Sequence, residues 1–194
     1  MTALLDQLKA WLMAHYPELQ ADLQPGADAL ELEALEEALT VKLPAPYSTL
    51  LKRHNGQNGE AAGLFGNWEL LSVEDVLQEW RLWKDLADHG HFDESHDEAK
   101  AIGPVKARWW HPAWVPISAD GMGNNHCLDM APDTGGQLGR VIVLLHDNGE
   151  RKVLAPSLEE WLATILTKLE SGEFALALDD EVQDYFFEPE GFIH

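Results

Sequence analysis

Apolar positions along this chain recur with two periods, and the places where the period changes mark its elements. Near the N-terminus Leu4, Leu5, Leu8, Trp11 and Leu12 fall at helical spacing, and Tyr16-Pro17 stops the run because a residue before proline is driven out of the α region. After Pro25-Gly26 a second helix is expected over about Ala29 to Leu39, with Leu32, Leu35 and Leu39 on one side and Glu31, Glu33, Glu36 and Glu37 on the other. Such a glutamate run reads first as a solvated face. Val41 to Pro46 reads as an extended link into a third helix from about Ala45, which buries Tyr47, Leu50 and Leu51 and is closed by Asn55-Gly56 as a C-cap. The string LFGNWELL, Leu64 to Leu71, reads as a strand interrupted at Gly66-Asn67. Ser72 and Asp75 then form an S-x-x-D start for a long helix whose stripe runs Val73, Val76, Leu77, Trp80, Trp83 and Leu86.

The second half alternates more than it winds. The stretch WVPISADGMGNNHCLDMAP, Trp114 to Pro132, reads as two short strands, Trp114 to Ser118 and His126 to Met130. Gly121, Gly123, Asn124 and Asn125 between them supply the left-handed conformations that a tight connection needs. Alternation sets His126 and Leu128 on one face, Cys127 and Asp129 on the other. Arg140 to Leu145 is a further apolar strand, and His146-Asp147-Asn148-Gly149 turns it into Arg151 to Leu154 through an Asn-Gly hairpin. Ser157 and Glu160 open a last helix by a capping box, Leu158 to Leu169 supply its buried stripe, and Ser171-Gly172 ends it. The expected fold class is therefore α+β: a single domain with a mainly antiparallel sheet and helices packed on it.

Length and composition agree with one packed core, since 194 residues with 45% apolar content and eight tryptophans exceed what a disordered chain carries. Charge changes the picture more. Thirteen basic against 34 acidic residues give a formal net charge of −21, far beyond the roughly 2 to 8 usual for a small soluble domain. Phosphate neutralisation needs clustered Lys and Arg, so direct nucleic-acid binding and anionic membranes are disfavoured and a basic protein partner is favoured. A single cysteine, Cys127, allows no internal disulfide, the N-terminus carries no basic leader, and no apolar run approaches the roughly 18 residues of a membrane span. The expectation is a cytoplasmic protein.

Candidate chemistry concentrates in two places. Asp88 to Lys100, DHGHFDESHDEAK, gathers His89, His91 and His96 with Asp93, Glu94, Asp97 and Glu98. Lacking an H-E-x-x-H pair or a cysteine partner, it reads as a surface loop, and neither a metal nor a cofactor is expected. In the central stretch Asp120, Asn124, Asn125, His126 and Asp129 gather at one strand edge. Trp114 and Ile117 there read as core, Pro116 as a limit on strand pairing, Asp120 with Asn124 as acceptors for turn donors, and Cys127 as an inert buried thiol. A hydrolase using His126 with Asp120 or Asp129 is the one enzyme reading left open, without any G-x-S-x-G motif to support it.

Five strings taken in order carry a resemblance: LPAPYSTLLKRHNGQNG (Leu43 to Gly59), GLFGNWELLSVEDVLQEW (Gly63 to Trp80), WWHPAWVPISADGMGNNHCLDMAP (Trp109 to Pro132), GRVIVLLHDNG (Gly139 to Gly149) and PSLEEWLATILTKLESGEF (Pro156 to Phe174). They resemble the SUKH superfamily, most of all its Smi/Knr-like branch, which holds a fungal cell-wall assembly regulator. Within that pattern Trp114, Pro116, Ile117, Asp120, Gly121, Asn124 and Asp129 match the strand-loop-strand, and Asn55-Gly56 the turn after the early helix. The resemblance divides the chain into an N-terminal helix and linker (1–26), the Smi/Knr-like domain (27–174) and an acidic aromatic tail (175–194) expected to dock on the body or on a partner. It implies a binding role without a catalytic centre. Bacterial members resemble immunity proteins that cover a polymorphic toxin; fungal members resemble regulators of glucan and chitin deposition. Without the long flanks of the fungal proteins, the expectation is an immunity protein for a basic toxin domain, with an envelope regulator or scaffold as the alternative. The residues expected to meet the partner are Asn55, Trp109, Trp110, Asp120, Asn124, Asn125, His126 and Asp129.

Overall fold

A computed structural model describes residues 1–92 and 99–173. In chain order the elements are α1 (Thr2–His15), α2 (Pro17–Asp22), α3 (Ala29–Leu39), α4 (Ala45–Arg53), β1 (Glu69–Leu70), α5 (Val73–Asp88), β2 (Lys100–Ile102), β3 (Trp114–Ala119), β4 (Asn125–Asp129), β5 (Arg140–Leu144), β6 (Glu150–Ala155) and α6 (Leu158–Ser171). The strands form one open sheet in the order β1-β3-β4-β5-β6-β2. Each pairing is antiparallel except that of β2 with β6, which is parallel. The expected α+β class with a mainly antiparallel sheet is the fold observed.

β4 lies inside the sheet and every one of its residues is buried. Alternation along it sends Asn125 to Trp83 of α5 and His126 to Trp161 of α6, so these two helices cover opposite faces. Around them α1 packs on α2 and α6, α3 on α5, and α4 on α6. The apolar stripes behave as periodicity requires: Val73, Val76, Trp80 and Trp83 of α5 and Leu158, Trp161, Leu162, Ile165, Leu166 and Leu169 of α6 all face inward. Caps fix where three helices start. Asp28 with Glu31 and Ser72 with Asp75 form reciprocal capping boxes, and Ser157 accepts the Glu160 N–H; each such cap contributes about 1 kcal/mol.

Three sequence expectations need correction. Tyr16-Pro17 ends α1, yet Pro17 also begins α2, because proline at the first helical position loses no hydrogen bond. Asn55-Gly56 does not cap α4, whose C-cap is His54 in an extended conformation. Asn55 instead accepts the Val73 N–H at 2.8 Å, at the start of α5. Gly56, at φ 88°, lies so close to Ser72 that a Cβ would meet that residue's backbone nitrogen at 2.5 Å. Only glycine fits there.

The third correction concerns Leu64 to Leu71, where only Glu69–Leu70 is strand. A side chain takes over what a ladder would supply. Gln57, buried at 6% exposure, accepts the Leu64 N–H at 2.8 Å and the Leu70 N–H at 3.0 Å, and donates to Asp22 Oδ2 and the Ala62 carbonyl, each at 3.0 Å. Asp22 in turn accepts the Glu60 N–H at 3.0 Å through Oδ1. One amide thus ties α2, the loop after α4 and β1.

Arg151 pins the other edge of the sheet. Fully buried, it donates from Nε and Nη2 to the Trp109 carbonyl at 3.0 and 2.6 Å and from Nη1 to the Asn148 and Glu150 carbonyls, and it lies 5.5 Å from the Trp109 ring centre. Burial lowers its pKa to about 10, which leaves it charged at neutral pH. Its partners are carbonyl dipoles and a π face, and they fasten the segment before β3 to the β5–β6 turn.

Replacing Gln57 by Ala strands the Leu64 and Leu70 N–H groups and removes the donor to Asp22 Oδ2, each buried group left unmet being worth about 1–3 kcal/mol. The expected loss of unfolding free energy exceeds about 2 kcal/mol by the same reasoning. Urea denaturation of Gln57→Ala beside the parent measures it, and a loss under about 0.5 kcal/mol would show that water serves these groups as well.

Candidate interaction site on the central hairpin

The β3–β4 hairpin holds most of the residues singled out by sequence, and it divides them into buried and accessible sets. Asp120 and Asn124, both half-buried, build the connection. Asp120 Oδ1 accepts the N–H groups of Met122 at 2.8 Å and Asn124 at 3.1 Å, and Oδ2 accepts the Asn124 amide at 2.6 Å. Gly121 and Gly123 take φ of 74° and 96°, the left-handed values expected, whereas Asn124 and Asn125, also expected there, do not, and Asn125 already belongs to β4. Asn124 Oδ1 then accepts the His146 N–H at 2.9 Å and lies 3.0 Å from its Nδ1, which joins the β3–β4 loop to the β5–β6 loop. Met122 stands 66% exposed at the tip.

Asn125, His126 and Asp129 are buried within β4 and meet groups of the fold itself. Asn125 accepts from the Trp83 indole at 3.0 Å and donates to Glu79 Oε2 and the Ser118 carbonyl, each at 3.3 Å. Asp129 Oδ1 accepts the Trp114 indole at 3.2 Å and the Ala131 N–H at 3.0 Å, while the buried Oδ2 meets no donor among the described residues. Burial holds the Asp129 carboxyl above the usual range, opposed by the Ala131 N–H, the Trp114 indole and the charge of Arg140.

His126 is positioned by an irregularity in β3. The register skips Ile117, pairing Pro116 with Cys127 and Ser118 with His126, so a bulge brings Ser118 and His126 opposite each other. Ser118 Oγ lies 2.7 Å from His126 Nδ1, Trp68 stacks on the imidazole at 4.0 Å and Trp161 meets its edge at 4.9 Å. Desolvation lowers the His126 pKa to about 3. Neither Asp120 nor Asp129 is among its hydrogen-bond partners, and Ser118 is fully buried. The imidazole is a neutral packing element between two indoles.

The remaining residues of the expected set lie apart. Asn55 caps α5. Trp110 is buried and meets Trp80 edge-on at 6.0 Å, and half-buried Trp109 stacks on Phe92, which lies against Trp83. Cys127 is a buried free thiol whose pKa burial raises. Of the His/Asp-rich segment, Asp93, Glu94, His96, Asp97 and Glu98 lie outside the described residues, as does the tail after Glu173; His89 follows α5 with Nδ1 2.8 Å from the Asp85 carbonyl.

A stripe of acids beside the hairpin went unremarked in the sequence. Burial raises the Glu69 pKa, helped by Asp22 and Asp75. It raises that of Glu79 too, opposed by the Asn125 amide and helped by Asp75 and Asp120. These acids come from α2, β1, α5 and the β3–β4 loop, so their number could be counted in the sequence but their convergence could not.

The chain is a one-sheet α+β domain whose central polar residues serve its own fold. The family follows from comparison: a model described as the SMI1 / KNR4 family (SUKH-1) matches residues 26–164, and the chain belongs to that family. It is 30% identical over 186 residues to the cell wall biosynthesis/cell cycle regulator smi1 of Schizosaccharomyces pombe, covering 90% of this chain and 37% of that protein. It is 27% identical over 203 residues to a glucan synthesis regulatory protein of Neurospora crassa, covering 87% and 38%. Against the cell wall assembly regulator SMI1 of Saccharomyces cerevisiae the identity is 26% over 213 residues, covering 91% and 41%. The chain thus spans about two fifths of the length of these curated relatives. They are named as regulators, and no helix among the described residues is long and apolar enough to cross a membrane.

The buried imidazole sets a pH dependence. With a folded pKa of about 3 against 6.5 unfolded, the unfolded chain binds the extra proton between those values. His126 therefore leaves stability intact above pH 6.5 and removes it as pH falls toward 3, by up to about 1.4 kcal/mol per pH unit. His111, lowered to about 4 by burial and then by Lys106 and Arg108, acts with the same sign over a narrower window. Urea denaturation between pH 7 and 4.5 should show a shallower fall for His126→Phe than for the parent, and equal slopes would show that the imidazole is protonated in the fold.

Proposed function

We propose that this chain is a non-catalytic protein-binding module that regulates cell-wall or envelope synthesis through protein partners. The observation that carries this reading is the family match over residues 26–164, together with relatives named as regulators of the wall and of glucan synthesis. The buried state of Ser118 and His126 supports a binding role, since a general base must reach the proton it takes. The immunity reading rests on the resemblance of bacterial family members, whereas the relatives named above support the regulator.

The contact surface in this proposal is the acidic stripe with the hairpin loop beside it: Glu69, Asp75, Glu79, Asp120 and Asn124, with Met122 as an exposed apolar anchor. Glu69 and Glu79, whose pKa values are raised by burial and then by neighbouring acids, gain from an arriving cation, which selects a partner rich in Lys or Arg. A chain at −21 also steers such a partner from a distance.

Two measurements test this. Deleting the gene in its host should change sensitivity to wall-perturbing compounds, with recovery on re-expression of the chain; an unchanged wall, with new sensitivity to a toxin domain that the chain binds, would favour immunity instead. For a partner captured from that host, the association rate should fall about tenfold or more between low and physiological salt, and Glu69→Gln with Glu79→Gln should slow it further. A salt-independent rate would remove the steering role.

A further inference from the structure

The positive charge of this protein is not spread evenly. Residues 99–155 hold six basic against five acidic residues, in a chain that is −21 overall. Three of the six are turned inward, Arg140, Arg151 and Lys152. The other three, Lys100, Lys106 and Arg108, lie on β2 and the loop after it, and none has a carboxylate within ion-pair distance among the described residues. Lys106 Nζ instead lies 3.4 Å from His111 Nε2, an unusual neighbour for an ammonium. Its charge and that of Arg108 both act on this imidazole, so the two cations lie near it.

Four of the other cations are already matched: Lys42 pairs with Glu36, Arg53 with Asp6, Lys84 with Asp88 and Lys168 with Glu173, whereas Lys9, Lys52 and Arg81 lie on helices α1, α4 and α5 and not on the sheet edge. The face around Lys106 has Glu150 opposite Lys100 in the β2–β6 register and Asp133 beside Pro104 as its acidic neighbours. It also offers apolar surface, since Ile102 is 37% exposed and β2 is the outer strand of the sheet, its three residues all exposed.

The chain itself carries the complement. Beyond Glu173, residues 174–194 hold Asp179, Asp180, Glu181, Asp184, Glu188 and Glu190, no Lys or Arg, and the aromatic run Tyr185-Phe186-Phe187. We propose that this C-terminal segment docks within the same molecule on the basic face of Lys100, Lys106 and Arg108, laying its aromatic residues over Ile102 and the outer edge of β2. An acidic body repels so acidic a segment over much of its surface, and Lys100, Lys106 and Arg108 are the cations outside ion pairs among the described residues that lie on or next to the exposed outer strand β2. Twenty-one residues reach up to about 70 Å when extended, more than the roughly 40 Å diameter of a domain this size, so length does not limit the docking. Tethering supplies an effective concentration of about a millimolar, so even a weak patch is kept occupied. The docking leaves the acidic stripe open to a basic partner, and it stands or falls apart from the regulator reading.

Zero-length carbodiimide cross-linking of the full chain, prepared as an equal mixture of unlabelled and nitrogen-15 protein, tests this by peptide mass spectrometry. The expected result is links from Lys100 and Lys106 to the carboxylates of 179–190, within single-label molecules, several-fold above links from Lys9 and Lys52. Arg108→Glu, which keeps both lysines, and 1 M salt should each lower that yield several-fold. Links spread equally over Lys9 and Lys52, links found only between differently labelled copies, or links from Lys100 and Lys106 solely to Asp93–Glu98 would each overturn the proposal. The last would assign the face to the neighbouring acidic segment.

Discussion

A strand that is more than half polar sits at the centre of this sheet, and water does not reach it. Burying an amide, an imidazole and a carboxylate costs several kcal/mol unless each finds a partner, so β4 dictates much of what surrounds it. Asn125 requires Trp83 and Glu79 on α5, His126 requires Ser118 and two indoles, and Asp129 requires Trp114. Four of the eight tryptophans serve this strand: Trp83 and Trp114 supply N–H donors, and Trp68 and Trp161 flat apolar surfaces. The bulge at Ile117 belongs to the same constraint, because without it Ser118 would not stand opposite His126.

This constraint shapes how the surface is used. Side chains of β4 that look catalytic are engaged in holding the sheet, and the exposed groups lie on loops, helix faces and sheet edges. Charge is sorted on that surface: acids from α2, β1, α5 and the hairpin loop come together, while Lys100, Lys106 and Arg108 lie on β2 and the loop after it. One fold therefore presents two faces of opposite sign.

Element types were legible wherever periodicity was long. The stripes of α5 and α6 announced themselves, and Ser72-Asp75 marked a helix start correctly; β5 and β6 pair as the expected hairpin, but Leu144 meets Arg151 across a longer loop in which neither Asn148 nor Gly149 takes the positive φ of an Asn-Gly turn. What failed was punctuation whose partner lies far away in sequence. Asn55-Gly56 looked like the end of α4 but serves the start of α5, eighteen positions on. Leu64 to Leu71 looked like a strand because nothing local reveals that Gln57 will satisfy its backbone. β2 was missed since three exposed residues carry no pattern. In the hairpin, the roles of Asp120 and Asn124 in the turn were readable because Asx turns are local. The burial of Asn125 and His126 was not, because it depends on helices packing from both sides.

The parallel pairing of β2 with β6 has a consequence in time. β3, β4, β5 and β6 follow one another as an antiparallel meander, each strand meeting the next across a short connection, so their pairing closes only small loops. β2 precedes that meander in sequence yet can be placed only against its last strand, with Lys100 opposite Glu150, which demands closure of a loop several times longer. Non-local pairing of this kind is slow. The meander therefore forms as a template first, and the edge that carries Lys100 and Ile102, along with the buried Arg151 that secures the segment behind it, is completed late in folding.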